Sequence, residues 1–261
     1  MKTGFLTVSF GTTHLDTLEK TIVATENALK AAFPKASHYR AFTSGIVRSR
    51  LKSKYDIHVD SVEEALARMK ADGVQQVVVQ PTLLIPGEEY DKQRAKVLQN
   101  AGELEVAMSL PLLWDDTDLG TMTDILKQAY PMADDTVLVA MGHGTEHLSN
   151  SLYVRLAELM ADKGMILCTV EGKPDFEDAV EALKAQTKHK AHLVPLLLVA
   201  GDHSKNDMAG EEPDSLRGML EQAGIQVDWT LQGLGELPAV QKMYVHRAAV
   251  AYNTLQKRGE V

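Results

Sequence analysis

Cysteine is nearly absent from this 261-residue sequence, in which Cys168 stands alone. A single thiol closes no internal disulfide, which excludes a disulfide-stapled secreted scaffold and fits a cytoplasmic chain. Its setting, Met165-Ile166-Leu167-Cys168-Thr169-Val170, reads as a strand with Cys168 a small buried residue. Positive charge is also short: 27 Lys and Arg face 36 Asp and Glu, for a net charge of −9. That balance argues against general nucleic-acid binding. No apolar run reaches the roughly 20 residues a membrane-spanning helix needs. The opening MKTGFLTVSFGT passes straight into a strand pattern, so no export signal is expected there. A P-loop pattern for cradling nucleotide phosphates is missing too, and ATP-driven chemistry is not expected.

What remains is an ordinary globular composition, 44% hydrophobic and 24% charged, long enough for two halves of usual domain size. Short β-branched or apolar runs at 4–9, 38–43, 74–80 and 104–110 alternate with helical patterns at 15–33, 62–72, 88–100 and 115–129. Strand patterns at 137–141, 165–170, 192–199 and 225–231 follow, with helices to about 160, at 175–185, at 214–222 and from 238. Such alternation implies an α/β fold of parallel sheets flanked by helices. The expected division is 1–130 and 131–261, with the final helix free to pack back on the first lobe.

The organising stretch is Ala140-Met141-Gly142-His143-Gly144-Thr145. It follows the apolar run 137–140, so His143 is expected at a glycine-flanked turn leaving a buried strand. Open α/β sheets bind their ligands at such carboxyl ends. The first half echoes this stretch. Ser9-Phe10-Gly11-Thr12 matches Gly142-His143-Gly144-Thr145, and 79–89 matches 193–203. The second match sets Glu89 opposite His203. Two matches in one order imply a duplicated lobe with a cleft between the copies.

His143, His203 and Glu89 therefore converge by topology. Two imidazoles and a carboxylate suit a borderline divalent metal such as cobalt, iron, nickel or zinc. Distance along the chain does not by itself establish a metal site. His14, His38, His58, His189, His192 and His246 lack such a setting and read as structural or surface groups. Glu88 and Glu89 are also ordinary first-turn helix acids. His143-Gly144-Thr145-Glu146-His147 fits the H-x-x-E-H peptidase pattern, which needs both histidines on one helix face. The glycines around His143 argue for a turn instead.

Val8-Ser9-Phe10-Gly11-Thr12, Arg40-Ala41-Phe42-Thr43-Ser44-Gly45, Gly87-Glu88-Glu89-Tyr90, Met141-Gly142-His143-Gly144, Leu198 to His203 with Asn206-Asp207-Met208-Ala209, and Gly233-Leu234-Gly235-Glu236 span nearly the whole chain. In this order they resemble the class II chelatases, and within them the CbiK-like anaerobic sirohydrochlorin cobaltochelatases of cobalamin biosynthesis. The resemblance implies two flavodoxin-like lobes around a tetrapyrrole cleft. It implies ATP-independent insertion of Co²⁺ into sirohydrochlorin with loss of two protons. By position it makes His143, Glu89 and His203 metal ligands and His143 the proton acceptor.

A neutral imidazole can take such a proton near neutral pH. Fe²⁺ or Ni²⁺ insertion on the same substrate, or a non-catalytic tetrapyrrole or metal carrier, are the other readings. Haem binding and homo-oligomer formation stay open. Substrate carboxylates call for local cations, for which Arg40, Arg48, Arg50, Lys52 and Lys205 are candidates. Ser9, Phe10, Ser44, Gly87, Gly142 and Gly144 complete the expected substrate contacts.

Overall fold

The computed structural model describes residues 1–258. The chain divides into two compact units, one formed by Met1–Leu112 and the segment from Pro238, the other by Leu113–Leu237.

The first unit runs β1 (Thr3–Ser9), α1 (Leu15–Leu18), α2 (Ala24–Ala32), β2 (Ser37–Phe42), α3 (Gly45–Tyr55), α4 (Val62–Ala71), β3 (Gln76–Pro81), α5 (Glu88–Ala101) and β4 (Glu105–Met108). Its sheet is parallel with strand order β2-β1-β3-β4. Alternation along β1 and β3 sorts side chains to two faces. Leu6, Val8, Val77 and Val79 pack on Val62, Leu66, Met69 and Val97. Phe5 and Val78 face the other way, onto Leu29, Ala248, Ala251 and Leu255. Each such apolar side chain adds about 1.5–3 kcal/mol by leaving water. Ser61 starts α4 with a reciprocal capping box to Glu64, worth about 1 kcal/mol.

The second unit runs α6 (Asp116–Ala129), β5 (Thr136–Gly144), α7 (Ser151–Ala161), β6 (Ile166–Glu171), α8 (Phe176–Lys184), β7 (Lys190–Pro195), α9 (Leu216–Gln222) and β8 (Gln226–Trp229). Its parallel order, β6-β5-β7-β8, repeats that of the first. Val137, Val139, Met141, Cys168 and Leu193 pack on Val180, Leu183, Leu216 and Leu220. Cys168 is fully buried, as expected, and burial pushes its thiol pKa far up. Helix α10 (Pro238–Arg258) then returns to the first unit, where the Tyr244 hydroxyl donates to the Thr82 carbonyl at 2.9 Å.

Four sequence expectations change. The strand before His143 does not stop at Met141: β5 continues through Gly144, because Gly142 and Gly144 still pair with Thr169 and Glu171 of β6. The helix expected from Thr145 begins only at Ser151, after a 3₁₀ turn at Leu148–Asn150. The strand expected over 192–199 ends at Pro195, and Leu196–Val199 is loop although Leu196 is fully buried. The dividing line also falls at Leu112 rather than 130, since α6 packs on α7 and Asp116 pairs with Arg155 at 3.0 Å. Among the described residues no helix is long and apolar enough to cross a membrane.

Candidate functional site

In each sheet the order reverses beside the first strand of the unit, at β1 and at β5, and such switch points are where open α/β sheets take ligands. The backbone repeats at both. Thr82 N–H donates to Val8 at 2.9 Å and Leu196 N–H to Met141 at 2.8 Å. Ser109 N–H donates to Val79, Thr230 N–H to Leu193; Leu112 N–H to Leu83, Leu234 N–H to Leu197. Gly87 N–H reaches Ile85 at 3.0 Å, and Gly201 N–H reaches Val199 at 2.9 Å. These matched bonds make Phe10 the counterpart of His143 and Glu89 the counterpart of His203, the pairing read from sequence.

His143 sits one residue before the end of β5, its imidazole 43% exposed. Its neighbours are glycines for two separate reasons. A Cβ on Gly142 would stand 2.6 Å from the Tyr153 ring. Gly144 has φ +78°, and its Cβ would stand 1.5 Å from the Glu171 carbonyl oxygen. Tyr153 is buried against this strand end, and burial pushes its hydroxyl pKa up to about 12, against a smaller opposing pull from the backbone of Gly144 and His143.

His203 lies eight residues past the end of β7, not at it, on a helical turn that continues as the π-helical turn Ser204–Met208. The two rings meet edge to face, their centroids 4.8 Å apart and their planes at 81°. Each ring is held through Nδ1. His143 Nδ1 is 3.1 Å from the Gly144 carbonyl, and His203 Nδ1 is 2.6 Å from Asp207 Oδ2. A carbonyl and a carboxylate only accept, so Nδ1 is the donor in both, and in the neutral ring this tautomer leaves the Nε2 lone pair outward. A pair of neutral imidazoles with available Nε2 atoms can bind a metal ion or receive a proton. Glu171 adds a carboxylate oxygen 3.8 Å from His143 Nδ1.

The other expected residues lie each within its own unit. Glu89 is exposed in the first turn of α5, 3.2 Å from Lys92 Nζ, and Gly87 caps that helix. Phe10 is 58% exposed, next along the chain from a buried Ser9 whose hydroxyl accepts from Thr82 at 2.9 Å. Ser44 caps α3 and its amide donates to the Phe10 carbonyl at 3.2 Å. Lys205 is exposed. Arg48 reaches Glu64 at 3.1 Å, and Lys52 pairs with Asp56.

Arg40 already has a partner in the first unit. It lies within β2 and grips the nearly buried Glu26 with two bonds, at 2.7 and 2.5 Å. The peptidase pattern also fails, because His143 is on a strand and His147 precedes a 3₁₀ turn with extended backbone.

Asp207, Glu171 and Tyr153 carry parts that sequence reasoning missed. The signal for Asp207 was the i,i+4 spacing from His203, readable once a helix at 202 is assumed. One further donor trio, His58, Asp60 and Glu64, has ligand atoms within 4.8 Å of one another among the described residues. Its carboxylates already hold Arg68 at 2.6 Å and Arg48 at 3.1 Å at the start of α4, so two cations and a helix N-terminus oppose a metal there.

Residues 3–253 match the family model described as cobalt chelatase (CbiK). A sirohydrochlorin cobaltochelatase of Salmonella typhimurium is 36% identical over 257 residues, covering 97% of each chain. The sirohydrochlorin cobaltochelatase CbiKC of Nitratidesulfovibrio vulgaris is 30% identical over 261 residues, covering 97% of this chain and 92% of its own. Among solved structures, SirB from Bacillus subtilis with Fe³⁺ superposes with a TM-score of 0.70 at 16% identity, over 98% of both chains. At that identity the likeness speaks for the fold.

Proposed function

This chain belongs to the cobalt chelatase (CbiK) family, and on that premise we propose that it inserts Co²⁺ into sirohydrochlorin without ATP. The observation that carries the reading is the pair of imidazoles 4.8 Å apart at the switch point of the second sheet, each with Nδ1 engaged and Nε2 available.

Insertion consumes the metal ion and the metal-free macrocycle and releases two protons. His143 and His203 present the incoming ion with nitrogen donors. Glu89 is the proposed carboxylate of the set, because the repeated backbone gives it the position of His203. Glu171 is a second carboxylate, close to His143. A mixed nitrogen and oxygen set with open positions holds a divalent ion loosely enough to pass it on. Once the ion has left the Nε2 lone pair of His143, that lone pair is the acceptor for a pyrrole proton. Phe10 offers an apolar face to the flat macrocycle, and Ser44, Arg48 and Lys205 offer donors to its carboxylates. Fe²⁺ and Ni²⁺ remain competing substrates, since affinity order and supply decide among them.

The test is an anaerobic absorbance assay of sirohydrochlorin with Co²⁺, run against a control without protein. The expected result is protein-dependent metallation that His143→Ala abolishes while tetrapyrrole binding persists. Near wild-type turnover by His143→Ala refutes the proton-acceptor role. Tight binding with no acceleration for Co²⁺, Fe²⁺ or Ni²⁺ refutes the enzyme and leaves a carrier. Glu89→Gln and Glu171→Gln separate the two carboxylates, because the ligand's variant raises the KM for Co²⁺ and the other leaves it unchanged.

A further inference from the structure

The two imidazoles are supported differently. His143 rests its Nδ1 on a neutral backbone carbonyl, whereas His203 rests its own on the carboxylate of Asp207. We propose that Asp207 is a positioning residue that makes His203 the retaining metal ligand, leaving His143 the ligand that exchanges metal for proton. This rests on the metal-handling reading of the site.

The local backbone is built to aim Asp207. Ala209 N–H reaches back to Ser204 at 3.2 Å, widening the turn, and Gly210 N–H closes on Asn206 at 3.1 Å. Gly210 is required there, because a Cβ would stand 2.1 Å from the Asn206 carbonyl oxygen. Met208 and Ala209 are members of the apolar core. The turn bearing Asp207 is thus anchored in packed structure, which fixes ligand orientation better than a free loop does. A carboxylate that accepts from Nδ1–H locks the tautomer with Nε2 facing outward and strengthens that nitrogen as a donor.

The first unit supplies an internal control. Its counterpart of His203 is Glu89, which needs no acceptor for a ring N–H. Four residues further on stands Gln93, 1% exposed, with no hydrogen-bond partner among the described residues. The His–Asp pairing therefore belongs to the unit that carries the imidazoles, and does not come from the shared backbone.

The experiment compares the full chain with Asp207→Asn, Asp207→Ala and His203→Ala. Four readouts are taken: Co²⁺ affinity from visible absorption with the metal alone, the His203 tautomer from imidazole ¹⁵N shifts, the melting temperature, and the split of turnover between kcat and the KM for Co²⁺. Asp207→Ala is expected to weaken Co²⁺ binding about 10–100-fold, and to mix the two tautomers of His203. Asp207→Asn keeps an acceptor oxygen but no charge, so it is expected to fall between. In turnover the loss enters the KM for Co²⁺ more than kcat, with the melting temperature unchanged, because Asp207 keeps 40% of its side chain in water. Unchanged affinity and unchanged ¹⁵N shifts in Asp207→Ala overturn the proposal. A fall in melting temperature that accounts for the lost affinity also overturns it, in favour of a purely structural role. If His203→Ala binds Co²⁺ as tightly as the parent, the metal reading itself fails. The tautomer shifts still report separately whether Asp207 orients the ring.

Discussion

Replacing Gly144 by alanine tests the strand end that carries His143. Two terms oppose the new methyl group. The residue has φ +78°, and a left-handed conformation costs an L-residue about 1–2 kcal/mol. The Cβ would also stand 1.5 Å from the Glu171 carbonyl oxygen and 2.7 Å from Thr169 Cβ. These belong to the paired strand β6, so relief means parting two strands, and such overpacking costs about 1–3 kcal/mol. Together the change removes about 2–5 kcal/mol. For a chain of this length that is on the order of 10 °C in melting temperature. The matched position in the first unit gives the comparison. Gly11 has φ +98°, but its Cβ would meet only side chains, the Phe42 ring at 2.6 Å and Val47 Cγ1 at 3.0 Å. A side chain can shift where backbone cannot, so Gly11→Ala is expected to cost less. Calorimetry on both variants checks the order, and the chelatase assay checks that Gly144→Ala loses turnover even where it is still folded. Equal melting temperatures for Gly144→Ala and the parent would refute the reasoning, as would a larger loss from Gly11→Ala.

Alkaline pH should destabilise the chain through its buried phenols. Tyr130 and Tyr153 are both pushed up to about 12 by burial. Below pH 10 both states hold these protons; between pH 10 and 12 the unfolded chain releases them first, so stability falls as pH rises. Each contributes about 3 kcal/mol, at about 1.4 kcal/mol per pKa unit. A melting temperature flat to pH 12 would contradict this. Glu26→Ala strands Arg40 and should cost towards the lower end of the roughly 3–5 kcal/mol that a buried pair loses with one partner, because Arg40 keeps 28% of its side chain in water. Urea unfolding measures it; a raised KM for the tetrapyrrole with unchanged stability would return Arg40 to the substrate site. Cys168 should react with a thiol reagent only as the chain unfolds, since burial pushes its thiol pKa far up. Prompt stoichiometric labelling of the folded chain would contradict its placement in the core.

The repeat was legible in sequence because its carriers are backbone-determining residues. Gly11 and Gly144 share a positive φ, and Pro81 and Pro195 each end a strand, lacking the amide that would extend the ladder. The same proline shows why 192–199 misreads. Apolar character continues to Val199, but it fills a buried loop rather than a strand. Glycines read as a turn at His143 were in fact strand residues admitting close neighbours, the Tyr153 ring and the Glu171 carbonyl. Neither neighbour is near in sequence, so nothing local could reveal them. The partner of Arg40 was hidden for a related reason. Its cation was free by composition, and only the folded chain shows that Glu26 of α2 already holds it.

Helix α10 sets an order of assembly during synthesis. The second unit is continuous, Leu113–Leu237, and every strand it needs is synthesised before α10. The first unit begins earlier in the chain but lacks Ala248, Ala251 and Leu255 on one face of its sheet until the last helix arrives. The contact from Tyr244 to Thr82 spans 162 residues. Domains usually fold from the N-terminus onward as they emerge. Here the half bearing the two imidazoles can finish first, while the earlier half waits with Phe5 and Val78 uncovered until α10 is made.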